Sequence, residues 1–204
     1  MTTTAERLLS KRDGLARLVV ACTGVLALFA LVAAAAAAAA RPVPQTVPGD
    51  PLDPRTYAPD SRLFLVVSAG GVQKYACQPN GTWLFTDPEA TLYSSTGKPI
   101  GSHFLNFATG RPVWRLQDGS SVEAARAVTA SGGIGNIAWL LLRAVETTTG
   151  ADGDRLAATT WLQRLNTSGG LAPAGACAPG DTLYVPYTAD YSFWRAAGED
   201  VWGA

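Results

Sequence analysis

From residue 62 onwards the chain is a succession of short apolar or β-branched runs broken by glycine, asparagine and aspartate. "RLFLVVS" is followed by Gly70-Gly71, "VQKYAC" by Asn80-Gly81 and "TWLF" by Asp87-Pro88. The series continues with "ATLYS", "IGSHFLNF", "PVWRLQ", "SVEAARAV", "IAWLLLRAV", "LAATTWLQRLNT" and "TLYVPY". Runs this short, rich in β-branched and aromatic residues, read as strands. Asn-Gly between two of them signals a hairpin, because both residues accept the positive φ of a tight turn. Asp118-Gly119-Ser120 reads as a turn in the same way, since aspartate accepts local backbone bonds. The pattern predicts an all-β domain over residues 62–204, an antiparallel β-sandwich or barrel. "IAWLLLRAV", residues 137–145, has no period that separates strand from helix and is read as a strand buried on both faces. "TADYSFWRAAG", residues 188–198, reads as a short C-terminal helix.

Upstream the pattern changes twice. Residues 41–61, "RPVPQTVPGDPLDPRTYAPDS", are dense in proline, which removes backbone donors and favours extended conformations, so this stretch reads as a linker or wrapping arm. Residues 1–40 carry a basic "RLLSKRDGLAR" and then an uncharged apolar run from Leu18 to Ala40 that ends in an alanine tract. That order reads as an export signal with A-x-A cleavage sites, Ala38-Ala39-Ala40 among them. Residues 18–40 are also long enough to serve as an uncleaved membrane anchor with its basic end in the cytoplasm. Val19-Val20-Ala21-Cys22 offers a third reading, a lipoprotein box. The first two readings place the domain outside the cytoplasm, secreted or membrane-anchored, with no membrane contact except through residues 18–40.

Export gives the cysteines meaning. Beyond Cys22 the chain has two, Cys77 and Cys177, and neither has the neighbouring cysteine or histidine of a zinc site. An even pair in an exported domain reads as a disulfide. Charge adds little: residues 41–204 hold 12 basic and 14 acidic side chains, scattered singly, so no basic face is available to neutralise the phosphates of a nucleic acid.

Candidate chemistry is sparse. Gly133-Ile134-Gly135-Asn136-Ile137-Ala138 matches G-x-G-x-x-A, but it lies among strand-like runs and lacks the βαβ context that brings a helix N-terminus to a pyrophosphate. We expect no nucleotide, and no cofactor or metal. His103 is the chain's one histidine, so a metal would find no second imidazole. A catalytic His103 would need Asp118 or Asp190 to orient it, and no G-x-S-x-G nucleophile elbow accompanies it. Of the six tryptophans, those left exposed beside polar groups could stack on sugars or other flat ligands, and the rest would fill the core.

Taken in order, several short pieces form a distinctive series. They are Gly71-x-Gln73-x-Tyr75-x-Cys77, Trp83, Pro88-Glu89-Ala90, Gly101-Ser102-His103-Phe104, Pro112-x-Trp114 and Asp118-Gly119-Ser120. Trp139-Leu140-Leu141-Leu142, Gln163-Arg164-x-x-Thr167-x-Gly169-Gly170 and Tyr187-Thr188-Ala189-Asp190-Tyr191 complete it. Over residues 62–194 the chain resembles the exported family catalogued as domain of unknown function 3455, which occurs in bacteria, fungi and plants. The resemblance supports export and the Cys77–Cys177 pairing. It implies no activity. Fungal members carry a malate dehydrogenase label, which does not transfer, because this chain offers neither a Rossmann context nor a dehydrogenase arrangement of arginine, histidine and aspartate. The family's shared positions nominate a patch of polar and aromatic residues that core packing alone would not require: His103, Trp114, Asp118, Gln163, Arg164, Thr167, Asp190 and Tyr191. The expectation is an exported domain that binds a small molecule or glycan in a cleft around that patch. Its rivals are a hydrolase or isomerase with His103 as general base, and a structural envelope or surface protein.

Overall fold

The computed structural model describes residues 46–198. The segment read as an export signal or anchor, with Cys22, and the first part of the proline-rich stretch lie outside the described residues. Among the described residues no helix is long and apolar enough to cross a membrane.

Eight strands form one closed antiparallel barrel: β1 (Arg62–Cys77), β2 (Trp83–Tyr93), β3 (Pro99–Asn106), β4 (Arg111–Leu116), β5 (Ser121–Ala130), β6 (Trp139–Thr148), β7 (Trp161–Gly169) and β8 (Thr182–Arg195). Each strand pairs with its sequence neighbours, and β8 closes onto β1 from Arg62↔Arg195 to Ala76↔Thr182. Closure removes the exposed sheet edges that would otherwise invite aggregation. The up-and-down order sends the loops after β1, β3, β5 and β7 to one end of the barrel and the loops after β2, β4 and β6 to the other.

Alternation along each strand fills the lumen. On β8, Tyr187, Ala189, Tyr191 and Phe193 point inwards to a core that Val67, Leu92, Trp114, Val122 and Leu162 share. An eight-stranded barrel is just wide enough for side chains to fill or to hold one small ligand. Small residues decide how closely the walls approach. A Cβ at Gly71 would lie 2.0 Å from the Glu89 carbonyl oxygen of β2, so Gly70-Gly71 is a point of close strand contact inside the continuous β1 rather than a turn between two strands.

The end formed by the loops after β2, β4 and β6 is plugged. Leu156, in the loop after β6, is 0 % exposed and belongs to the lumen core. Asp118 locks the loops there: its Oδ1 accepts from the Ser120 backbone N–H at 2.9 Å and hydroxyl at 2.6 Å, and its Oδ2 from the Arg155 N–H at 3.2 Å. Ser120 Oγ in turn accepts from the Leu156 N–H at 3.2 Å.

The arm read from the prolines lies against the outside of the barrel in its described part, residues 46–61, and contains a single 3-10 turn at Pro54–Thr56. Leu52 packs on the outward-facing Leu141 and Leu165. This explains β6: Leu142 faces the lumen while Leu141 faces the arm, and both are buried. The expected C-terminal helix is absent, because residues 182–195 are β8. Every residue from Ala189 to Trp194 is buried, with the lumen on one face and arm-covered Gln163 contacts on the other, so the period-2 signal of a half-exposed strand is missing there. The disulfide Cys77–Cys177 is formed, with Cα atoms 5.8 Å apart, and joins the end of β1 to the loop after β7.

Candidate binding site in the barrel lumen

His103 on β3 and Trp114 on β4 are direct register partners, both on the inward phase. Their rings stack with centroids 4.3 Å apart and planes at 12°. Tyr191 of β8 meets both, its ring centroid 5.3 Å from each. His103 Nδ1 lies 2.9 Å from the Val113 carbonyl oxygen. A carbonyl only accepts, so Nδ1 carries the proton and Nε2 is left as an acceptor. Burial pushes the His103 pKa down to about 3, and the Arg164 cation adds to that, against the opposing pull of the Val113 carbonyl. The imidazole is therefore neutral at physiological pH.

Beside this aromatic cluster stands Arg164, on the inward phase of β7 next to Leu162. Its Nε donates to the Ala138 carbonyl at 3.0 Å, which holds the guanidinium in place. No carboxylate among the described residues forms an ion pair with it. Burial raises the Tyr187 and Tyr191 hydroxyl pKa values, and Arg164 opposes the rise at both. The two hydroxyls interact with each other and with Gln73, Trp114 and Arg164, but Gln73 Nε2, Trp114 Nε1 and both tyrosine hydroxyls are buried without a hydrogen bond of good geometry. Poorly made bonds among buried polar groups are costly, so their concentration beside one cation is a departure from ordinary core packing.

Gln73 and Trp114 border a cavity of about 740 Å³ whose walls also include His103 and Arg164, while Tyr187 and Tyr191 lie outside its lining. It opens at the end formed by the loops after β1, β3, β5 and β7, where Gly110, Arg111 and Leu171 line it. Most of the wall is apolar, with Leu105, Ile137, Leu140 and Leu142 prominent. The rim is fastened. Thr167 Oγ1 donates to the Ile137 carbonyl at 2.6 Å, holding the loop after β5. Tyr75 donates to the Gly170 carbonyl at 2.6 Å, and the disulfide ties the same loop to β1. Phe107, Ile134 and Leu171, on three of these loops, project exposed apolar side chains around the opening. A second, shallower groove of about 820 Å³ runs along the outer wall between residues 57–61 and β6, and it carries both signs of charge, Arg143 and Glu146.

The nominated patch thus divides. His103, Trp114, Arg164 and Tyr191 meet in the lumen. Gln163 and Asp190 lie on the outward phase: Gln163 Nε2 donates to the Leu52 carbonyl at 2.6 Å and to Thr46 Oγ1 at 3.0 Å, and its Oε1 accepts from Ser192 and Trp194. Asp190 accepts from Asn166 Nδ2 at 2.7 Å. Asn166 holds the strained φ of 50° at the β7 irregularity. Thr167 fastens the rim, and Asp118 lies at the plugged end. No carboxylate among the described residues therefore orients His103, and a base with pKa about 3 takes up protons poorly at neutral pH. The G-x-G-x-x-A stretch, residues 133–138, is a rim loop that leads into a strand. Among the described residues no group of three or more histidine, cysteine, aspartate or glutamate side chains is placed to hold a metal. The sequence reading left Gln73, Tyr75 and Tyr187 out of the patch. The alternation Val67, Ala69, Gly71, Gln73, Tyr75 on β1 was the signal that could have found the first two.

The family described as protein of unknown function (DUF3455) matches residues 58–195. The chain belongs to that family. The matched segment contains all eight strands, so every strand that lines the cavity is part of what makes this a DUF3455 protein. No curated protein and no solved structure shows a significant match to the chain. Membership in DUF3455 carries no named activity, and the site must speak for itself.

Proposed function

We propose that this protein is an extracytoplasmic binding protein that holds one small molecule in the open half of its barrel. One observation carries the reading: an apolar cavity of about 740 Å³, open at one end and plugged at the other, with Arg164 and the poorly satisfied Gln73 and Trp114 in its walls. Ligand sites are typically concave, mostly apolar and furnished with a few placed polar groups, at roughly 300–1,000 Å³. Barrels of eight strands with an accessible lumen suit this use. The disulfide supports an oxidising compartment, and it braces the loop beside the opening.

The test is a fluorescence titration of the full chain with N-phenyl-1-naphthylamine, an uncharged apolar probe, alongside Leu140→Trp, which fills the cavity from a half-buried wall position. The proposal expects a saturable one-site rise with the natural chain and its loss in Leu140→Trp, with circular dichroism and unfolding midpoint preserved. Equal rises in both proteins would overturn it.

A further inference from the structure

We propose that the lumen ligand is a monocarboxylate with an apolar body, its carboxylate held by Arg164 together with Trp114 and Gln73. This rests on the binding reading above and goes beyond it by naming the ligand's chemistry.

Charge argues first. Three arginines line the cavity, Arg111, Arg126 and Arg164, and no aspartate or glutamate does. Arg111 is paired with Glu123 at 3.3 Å and Arg126 is exposed. Arg164 is the cation left uncompensated at the inner wall. Arg164 is half-buried on the cavity wall, and an anionic ligand would supply the counter-charge that no carboxylate among the described residues gives it.

Hydrogen bonding narrows the anion. The Arg164 Nε is already spent on Ala138, so the two terminal nitrogens form the remaining fork, with the Tyr191 hydroxyl as its protein neighbour and no carboxylate among the described residues paired with it. That planar fork matches the two oxygens of a carboxylate. Two poorly satisfied groups on the cavity wall act as donors: Trp114 Nε1–H donates only, and Gln73 Nε2 donates only. Trp114 is 2 % and Gln73 3 % exposed, so solvent does not satisfy them. A carboxylate, with two oxygens and about four lone-pair sites, accepts from such a set. A cation or an uncharged polyol would leave either the charge or the donors unanswered.

The remaining wall selects the body. Leu105, Leu140, Leu142 and Ile137 offer no polar side-chain atom, and the path to solvent runs past the exposed Phe107 and Leu171. A sugar acid would lose its hydroxyl hydration along that wall, whereas an alkyl or aryl acid gains from it.

The test uses the full chain labelled with nitrogen-15. Its readout is the Trp114 indole N–H resonance, assigned by its loss in Trp114→Phe, so that binding elsewhere on the chain does not register. The probes are decanoate, 1-decanol and decyltrimethylammonium, which share an alkyl chain and differ in the head group. The proposal expects decanoate to shift the indole signal saturably and to bind about tenfold or more tightly than decanol, the range expected of hydrogen bonds to a charged group. Arg164→Gln should erase that preference while decanol binding persists, and Arg164→Lys, which keeps the charge without the fork, should restore part of it. Equal binding of decanoate and decanol, unchanged in Arg164→Gln, would overturn the carboxylate assignment and leave the lumen reading standing. Failure of every probe to move the Trp114 signal would overturn both.

Discussion

Neutral His103 makes the barrel sensitive to acid in a window that its carboxylates do not reach. Folding encloses the imidazole at 2 % exposure and lowers its pKa from 6.5 to about 3. The unfolded chain takes up a proton near 6.5, the folded chain does not, and stability therefore falls as pH drops from 6.5 towards 3. At about 1.36 kcal/mol per pH unit, the loss reaches roughly 3 kcal/mol by about pH 4.5 and 4–5 kcal/mol once both states are protonated. Asp53, Asp118 and Glu123 are all held below their ordinary carboxylate values, so their contribution is present above about pH 4 and is lost below it. The interval between about pH 6.5 and 4.5 therefore isolates the histidine. The perturbation is His103→Asn, whose amide can keep a donor near the Val113 carbonyl but does not titrate. It forfeits the ring stack on Trp114, a pH-independent cost of about 1 kcal/mol or more. Urea unfolding followed by circular dichroism, from about pH 7.5 to 4.5, should show a stability that declines for the natural chain and stays flat for the variant. Parallel curves would mean that His103 is solvated or protonated in the fold, and the neutral-imidazole account of the lumen would fail.

Three further outcomes follow from the division of the patch. Asp118→Ala removes three accepted bonds at the plugged end and should cost roughly 1–3 kcal/mol in urea unfolding, with N-phenyl-1-naphthylamine binding unchanged; a loss of binding with stability intact would place Asp118 in the site. Gln163→Leu leaves the Leu52 carbonyl without its buried donor and takes the shared acceptor from the Ser192 hydroxyl and the Trp194 indole, so it should destabilise by about 2–4 kcal/mol and speed amide exchange in residues 46–57; unaltered exchange there would contradict the role given to Gln163 in fastening the arm. The pair Cys77→Ser/Cys177→Ser opens a loop of 100 residues and should lower stability by up to about 4.7 kcal/mol, with the largest exchange gain in residues 170–181; uniform exchange across the barrel would contradict the bracing of that loop.

Strands were legible wherever one face meets solvent or a turn residue forces positive φ. Asn80-Gly81 and Asp118-Gly119 sit between strands, with Gly81 and Gly119 at φ 78° and 84°. Gly70-Gly71 misled because glycine also serves close strand approach, and sequence does not distinguish the two uses. Residues 188–195 misled because an arm covers the outside of β8, and a strand buried on both faces loses its alternation. Barrel closure was open because it depends on the pairing of β1 with β8, the two strands farthest apart in the chain. The site was half legible for the same reason. The residues in the patch stand out as polar or aromatic, but only strand phase separates His103, Trp114, Arg164 and Tyr191, which face the lumen, from Gln163, which faces the arm, and Asp190, which is bonded to Asn166 on the outward phase. The irregularity between Leu165 and Ser168, with Asn166 at positive φ, shifts that phase within a few residues.

The most direct measurement of the central claim is a crystal structure of the protein grown with N-phenyl-1-naphthylamine. Ring density between Leu140, Leu142 and the stacked His103–Trp114 pair, with the barrel otherwise unchanged, is the result the account predicts. Density confined to the outer groove between residues 57–61 and β6, with side chains closing the lumen, would contradict it.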